Sequence, residues 1–277
     1  MPGKLILCAT PIGNLDDAPP RLVATLRDSD VIYAEDTWRA RILMDRLDVR
    51  GEVRSYFVGN EETRADELRL RLENGETAAL ITDAGSPTVA DPGVTAVRAA
   101  VVAGAEVSTV PGPSAVTAAI AVAGMGGDRF AFEGFLPRSG RDRDERLLAL
   151  SRDPRTSVLF VAPKRLGTDL ADLAVACGGE RLVVVARELT KLHEEVWRGD
   201  LTTAAEVWAE GGRGEITLVL EGAAEEEVSI EVALEAVDHE IAAGSSLSAA
   251  VRSVAESLGV SRRLIYEAAL ARDRTGS

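Results

Sequence analysis

Positive charge, aromatic residues and cysteine are all scarce in this chain of 277 residues. The formal net charge of -14 argues against general binding to bare nucleic acid, because surfaces that bind it are usually basic. Aromatic residues make up only 4%, so alanine, valine and leucine must form most of the core, as in many α/β proteins. Hydrophobic residues reach 46%, which is enough for a sizeable core and excludes a disordered chain.

Two cysteines and two histidines are too few, and too widely spaced, for a zinc cluster. Cys8 and Cys177 both lie in apolar segments, so we interpret them as reduced core thiols, with a disulfide as the alternative. No apolar run is long enough to cross a bilayer, and no signal-peptide pattern is present. We therefore expect a cytoplasmic protein with no bound metal and no membrane partner.

Apolar runs of strand length alternate with amphipathic segments along most of the chain. In the first half this alternation predicts a mostly parallel sheet covered by helices on both faces. Hairpin-length connections in the second half predict a mixed α/β sheet. An acidic linker and three short helical segments follow, which together resemble a helix-turn-helix module. The predicted domains are residues 1–116, 117–223 and 224–277.

Proline, glycine and acidic residues concentrate in the loops "TPIGN", "AEDTW", "TDAGSP" and "VPGPSA", each of which follows a predicted strand. Ligands of parallel α/β sheets bind beyond the carboxyl ends of the strands. Singly, each loop is also compatible with a plain turn or helix start, but together they favour a site. No GxGxxG or Walker loop occurs, which disfavours a dinucleotide or phosphate cradle. We interpret Asp83 and Asp91 as carboxylates that fix their loop through backbone hydrogen bonds.

Six segments occur in a distinctive order: "LILCATPIGNLDD", "AEDTWRAR", "TDAGSPTVADPG", "VPGPSAV", "FEGFLP" and "ARELTKLHEE…RGDL". Over residues 4–222 the chain resembles the ribosomal RNA small-subunit methyltransferase I family, of the tetrapyrrole-methylase-like class. The resemblance implies two α/β domains with S-adenosylmethionine (SAM) in the cleft between them, and a homodimer. It also implies 2′-O-methylation of a cytidine ribose in the decoding region of 16S rRNA.

The resemblance also implies which residues hold the cofactor. In the wider class the contacts come from the strand-end loops of the first domain and from strand ends of the second. The matching residues here are Pro11, Ala84, Gly85, Ser86, Val89, Ser114, Ala115, Phe160, Val161 and Val184.

Methyl transfer to a ribose hydroxyl needs in-line geometry and benefits from a base or an alkoxide stabiliser. Glu35 and Glu188 are the alternative bases, whereas Arg187 or Lys191 would hold a phosphate or stabilise the alkoxide. A structural salt bridge is the alternative role for each of them. Six ionisable groups within the nine residues of "RELTKLHEE" nevertheless favour a functional role for this segment. We expect His193 to be a surface residue.

The predicted RNA-binding surface is the arginine-rich segment 138–155, with an ion-paired solvated helix as the alternative. Because the chain is acidic, we expect the substrate to be 16S rRNA within the assembled 30S subunit. The chain departs from the family pattern at Trp38, Val161 and Lys164. Two other functions stay open: methylation of a small tetrapyrrole, and SAM binding at the ribosome without catalysis.

Overall fold

The computed structural model describes residues 2–224 and 230–275. The chain forms two compact units, Met1–Ala223 and Ala224–Ser277, and the first contains both sheets. The predicted boundary at residue 116 between two α/β domains stays a prediction.

The first sheet has five parallel strands in the order β3-β2-β4-β1-β5. Its strands are β1 (Lys4–Cys8), β2 (Val31–Ala34), β3 (Val53–Ser55), β4 (Thr77–Ile81) and β5 (Glu106–Val110). Its helices are α1 (Pro20–Asp28), α2 (Thr37–Arg46), α3 (Glu61–Glu73) and α4 (Val94–Val102). Leu22 and Leu26 of α1 belong to one core cluster of the sheet and Leu68 and Leu72 of α3 to another, so two separate cores flank it and the parallel sheet predicted from the sequence is confirmed.

The second sheet has the order β6-β7-β10-β8-β9 and is mixed, as predicted. Its strands are β6 (Phe130–Phe135), β7 (Thr156–Val161), β8 (Leu182–Arg187), β9 (Glu195–Asp200) and β10 (Ile216–Leu220). Its helices are α5 (Ala115–Ala123), α6 (Arg141–Arg152), α7 (Leu166–Cys177) and α8 (Leu201–Val207). Because β10 runs antiparallel to β7 and β8, its first residues lie beside the carboxyl ends of those two strands.

A buried ionic cluster joins α6 to α7. Arg143 is only 5% exposed, and its guanidinium donates to Asp169 Oδ1 at 2.8 Å, Asp172 Oδ2 at 2.6 Å and the Pro137 carbonyl at 2.8 Å. Arg165 donates to the same Asp169 oxygen at 3.2 Å. Every charge is thus compensated, which a buried ion pair requires.

This cluster changes the interpretation of segment 138–155. Besides Arg143, three of its arginines form ion pairs, namely Arg141 with Glu145, Arg146 with Glu133 and Arg155 with Asp153. The ion-paired, solvated helix that the sequence offered as the alternative therefore describes most of the segment. Binding of RNA by this segment stays a prediction.

The second unit contains three helices, α9 (Ile230–Ala242), α10 (Leu247–Leu258) and α11 (Arg262–Thr275), which confirms the three predicted helical segments. Val237, Val251 and Ile265, one from each helix, pack into a common core. The predicted acidic linker covers residues 223–229, and most of it lies outside the described residues.

Both thiols are free, as predicted. Burial raises the pKa of Cys8 to about 12, so this residue stays a neutral thiol. No helix within the described residues combines the length and the apolar character that a bilayer span requires. Of the three tryptophans, Trp38 is 67% exposed at the start of α2, whereas Trp197 and Trp208 pack against the core of the second sheet.

Candidate functional site

A cavity of about 480 Å³, which we call the main cavity, lies between the two sheets. The first sheet contributes the loops that follow β1, β2, β4 and β5. The second contributes the carboxyl ends of β6, β7 and β8 and the start of β10. The volume is within the range of small-molecule sites, and the position is the one expected for an α/β protein.

Eight of the ten predicted cofactor residues line the main cavity: Ala84, Gly85, Ser86, Val89, Ser114, Ala115, Phe160 and Val161. Pro11 instead lines a smaller neighbouring cavity of about 160 Å³. Val184 is 1% exposed within the core, and Ala186, two residues nearer the carboxyl end of β8, lines the main cavity in its place.

The "TDAGSPTVADPG" loop is held in a tightly defined backbone conformation. Thr10 and Gly85 exchange two backbone hydrogen bonds of 2.8 and 3.1 Å, which join this loop to "TPIGN". Gly85 has φ +79°, a value that favours glycine, while Thr88 and Ala90 adopt positive φ without being glycine. Such strained residues persist only where the surrounding structure holds them, and they concentrate at functional sites.

Four carboxylates, from Glu35, Asp83, Asp91 and Glu215, line the main cavity. Burial raises the pKa of Glu35, Asp83 and Asp91, and for Asp91, where the charge of Glu35 adds to the effect, the pKa reaches about 6. Among the described residues that line the cavity, Arg39 is the only cation, and it lies 3.4 Å from Asp83. The wall is therefore negative overall and suits a ligand with positive charge.

The role that the sequence suggested for the two aspartates is only partly right. Asp83 does fix its surroundings, because its Oδ1 accepts a hydrogen bond of 3.2 Å from the backbone N–H of Asp36. Asp91 instead interacts with the side chain of Thr82, and both aspartates also lie in the wall of the main cavity.

The "RELTKLHEE" segment forms an ion-paired network beside the main cavity. Lys191 Nζ donates to Glu188 at 2.7 Å and to Glu215 at 2.6 Å, and Arg187 pairs with Glu195 at 2.9 Å. The hydrogen bond from Lys191 lowers the pKa of Glu188, so this carboxylate stays ionised and bound. Burial opposes the charge on Lys191, but the two carboxylates outweigh that effect and raise its pKa. Of the four predicted catalytic residues, only Glu35 lines the main cavity. The other three, Arg187, Glu188 and Lys191, belong to the ion-paired network, which reaches the cavity wall through Glu215.

The same segment packs against the "TPIGN" loop of the first sheet. The backbone N–H of Asn14 donates to Thr190 Oγ1 at 3.1 Å, and a Cβ at Gly13 would lie 2.4 Å from Lys191 Cγ. Glu188 and Thr190 also have positive φ, of 53° and 68°. Thr190 and the side chain of Lys191 thus join two loops from different sheets, and the carboxylates of Glu188 and Glu215 hold Lys191 in place. His193 is exposed, in agreement with the sequence interpretation.

The sequence missed several residues of the wall. Gly214, Glu215 and Thr217 line the cavity because β10 is antiparallel, so the start of this strand, not its end, reaches the site. Phe135 lines it from the end of β6, after a register shift between Phe132 and Gly134. The "FEGFLP" motif contained the signal, since a glycine inside a strand often marks a bulge.

Asp91→Asn is expected to stabilise the protein at pH 7. The pKa of Asp91 is about 6 in the folded protein, against an ordinary value of 3.8, so the folded state binds this proton more tightly than the unfolded state. The free energy of unfolding therefore falls as the pH rises through this window, a loss that asparagine avoids. We expect a gain of about 1 kcal/mol, after allowance for solvent screening.

Urea unfolding of both proteins at pH 7.5 and pH 4 checks this prediction, because the gain should shrink at the lower pH. Asp66→Asn, at an exposed position of α3, is the matched control and should show no such trend. An equal gain at both pH values would contradict the assignment.

Comparison with known proteins gives the family. Residues 4–205 match the family model described as Tetrapyrrole (Corrin/Porphyrin) Methylases. The chain is 43% identical to Ribosomal RNA small subunit methyltransferase I of Mycobacterium tuberculosis (strain CDC 1551 / Oshkosh), over 99% of this chain and 97% of the relative. It is 41% identical to the Synechocystis protein of the same name, over 99% and 100% of the two chains.

Solved structures share the fold. The methyltransferase CobJ has a TM-score of 0.60 and 21% identity, over 81% of this chain and 95% of that one. Uroporphyrin-III C-methyltransferase from Thermus thermophilus, complexed with S-adenosyl homocysteine, has a TM-score of 0.58 and 19% identity, over 78% and 96% of the two chains. The family match and the nearly full-length relatives agree, and the chain belongs to the ribosomal RNA small subunit methyltransferase I group of the tetrapyrrole methylase family.

Proposed function

We propose that this protein transfers a methyl group from SAM to the ribose 2′-oxygen of a cytidine in the decoding region of 16S rRNA. The observation that carries the proposal is the main cavity, whose wall combines eight residues expected to hold SAM with four carboxylates. Its relatives are named as methyltransferases of small-subunit rRNA, and a protein of the same fold is complexed with S-adenosyl homocysteine.

The residues present fit this cofactor. SAM supplies a methyl group on a positively charged sulfur, and it also carries an amino group. The carboxylates of Glu35, Asp83 and Asp91 complement those charges. Phe160 and Val161 offer apolar surface to the adenosine, while the loop around Gly85 offers its backbone at close range.

Glu35 is the better of the two proposed bases. A base must reach the hydroxyl whose proton it takes, and Glu35 lines the cavity with a pKa that burial raises toward neutrality. Glu188 is already bound to Lys191 and to the backbone N–H of Glu215 at 2.8 Å. We assign Arg187, Glu188 and Lys191 a positioning role, in which they fix the loop that closes one side of the site.

The acceptor we propose is 16S rRNA inside the 30S subunit, because the net charge of -14 disfavours binding to bare RNA. The homodimer implied by the resemblance stays a prediction.

Transfer of labelled methyl from SAM to 30S subunits that lack the modification tests the function. We expect one 2′-O-methylcytidine in the decoding region after nuclease mapping, and much weaker transfer to protein-free 16S rRNA. Methyl on a base atom, or transfer to a tetrapyrrole with none to RNA, would contradict the proposal. SAM binding without transfer to either acceptor would favour a binding protein that has lost catalysis.

A further inference from the structure

Three exposed cations beside the main cavity have no internal partner. They are Arg138, Lys164 and Arg213, and in the part of the chain that the structure describes no carboxylate forms an ion pair with any of them. Their neighbours differ, since Arg143 and Arg165 are both paired with Asp169. Unpaired cations in a protein of net charge -14 remain available to an external anion.

Two hydrogen bonds to backbone carbonyls bring the three cations into one region. Arg165 donates to the carbonyl of Arg138 at 3.2 Å, which places the loop after β6 against the loop after β7. The N–H of Gly212 donates to the Pro163 carbonyl at 2.9 Å, which joins the loop before β10 to the same place. Pro163 and Gly214, each next in sequence to one of the cations, line the main cavity. We call Arg138, Lys164 and Arg213 the basic rim.

An exposed aromatic ring adjoins the basic rim. Phe135 lines the main cavity, yet it is 58% exposed, and its ring centroid lies 5.7 Å from that of Phe160. The register shift in β6 and the pairing of Glu133 with Arg146 fix the strand just before it. Aromatic rings beside unpaired cations are the usual means of binding single-stranded nucleic acid, since bases stack on the rings and phosphates bind the cations.

We propose that Phe135 and the basic rim bind the single-stranded RNA segment that flanks the methylated nucleotide. A base stacks on Phe135, and the neighbouring phosphates lie on Arg138, Lys164 and Arg213. This inference rests on the proposed function. Of the arginine-rich segment predicted from the sequence it keeps only Arg138, since four of the other five arginines there are paired.

The charges of the site favour this arrangement. The carboxylates of the cavity wall repel phosphate, so the ribose enters while its phosphates stay outside, where the cations lie. A duplex fits poorly, because its bases are stacked on one another and cannot reach an aromatic side chain.

The first experiment removes the charges. We compare Arg138→Gln/Lys164→Gln/Arg213→Gln with Arg27→Gln/Arg50→Gln/Arg98→Gln, a control with the same net charge whose three arginines are exposed in the first half of the chain. The dissociation constant for 30S subunits and the KM for methyl transfer are measured from 50 to 300 mM KCl. We expect the rim variant to bind roughly tenfold more weakly, with a salt slope reduced by about 2, and the control to stay near wild type.

The second experiment tests the ring. Phe135→Ala should lower kcat/KM for 30S subunits by roughly tenfold or more, with the dissociation constant for SAM unchanged, and Phe135→Trp should restore it. Phe130→Ala is the matched control, at the opposite end of the same strand. Weaker SAM binding in Phe135→Ala would place this ring against the cofactor and overturn its assignment to RNA.

The third experiment identifies the partner. A photoreactive benzoylphenylalanine at position 164 should crosslink to 16S rRNA, whereas a crosslink to a ribosomal protein alone would overturn the proposal. Equal losses in both triple variants would overturn it as well. Subunit binding is measured apart from methyl transfer, so a wild-type protein that binds through the basic rim but methylates no rRNA contradicts only the proposed function.

Discussion

Replacing Arg143 by alanine is expected to lower the free energy of unfolding by about 3–5 kcal/mol. The guanidinium is 5% exposed and compensates two carboxylates, of which Asp169 is itself 3% exposed. Its loss leaves Asp169 with Arg165 alone and the carbonyl of Pro137 without its donor. A buried carboxylate that loses one of its two cations, together with a carbonyl that loses its donor, costs far more than an exposed ion pair contributes.

Urea unfolding at pH 7 measures the effect, with Arg141→Ala on the same helix as the control. The Arg141–Glu145 pair is exposed, so its removal should cost at most about 0.5 kcal/mol. Should Arg143→Ala fail to fold, Arg143→Lys, which keeps the charge but not the forked geometry, should still show an intermediate loss. A cost for Arg143→Ala within 1 kcal/mol of that for Arg141→Ala would mean that the cluster does not hold α6 on α7.

Glu35→Gln is expected to reduce kcat for methyl transfer by about 100-fold or more, the usual contribution of a general base. The amide cannot accept the proton, yet it keeps the shape of the carboxylate. Burial raises the pKa of Glu35, so the wild-type rate should fall as the pH drops through that pKa. The pH profile of the variant should lack this decrease at low pH.

Single-turnover transfer to 30S subunits between pH 5 and pH 9, with SAM affinity measured in parallel, checks the assignment. Glu188→Gln and Asp91→Asn serve as comparisons. The variant whose pH profile loses its acid limb identifies the base, so a flat profile in Glu188→Gln together with a normal one in Glu35→Gln would reverse our choice. A large loss of SAM affinity in Glu35→Gln would assign its carboxylate to cofactor binding.

Local pattern was sufficient for most of the fold. Strands β1, β2 and β4 of the first sheet are short apolar runs, and helical periodicity fills the intervals between strands. The same reasoning located the site, because the ends of parallel strands lie at one edge and the glycine, proline and acidic residues follow them. These features depend on the order of residues along the chain, which the sequence states directly.

Pairing across the structure was not predictable in the same way. Arg143 and Asp169 are 26 residues apart, and no local pattern links them. The arginines of α6 look the same in sequence whether they face RNA or a neighbouring carboxylate. The unpaired cations Arg138, Lys164 and Arg213 lie on three separate loops, and only the contacts among these loops bring them together.

The direction of a strand, and the distance of a residue from the strand end, account for the other residues of the cavity wall that the sequence did not predict correctly. Strand β10 contributes its first residues to the cavity because it is antiparallel, a direction that apolar periodicity does not report. Val184 and Ala186 point to the same face of β8, but only Ala186 is close enough to the strand end to line the cavity. The hydrophobic pattern shows which face of a strand a residue lies on, but it does not show how far that residue is from the cavity at the strand end.

The uneven distribution of tryptophan has a spectroscopic consequence. Trp38, which is 67% exposed, adjoins Arg39 of the cavity wall, whereas Trp197 and Trp208 are packed in the second sheet. We therefore expect the native emission to contain a red-shifted component from Trp38 that iodide quenches readily, and a blue-shifted component from the partly buried Trp197 and Trp208 that it quenches less. In unlabelled protein, the emission of Trp38 can report ligands that bind beside the site. The emission of Trp197 and Trp208 can report loosening of the second sheet.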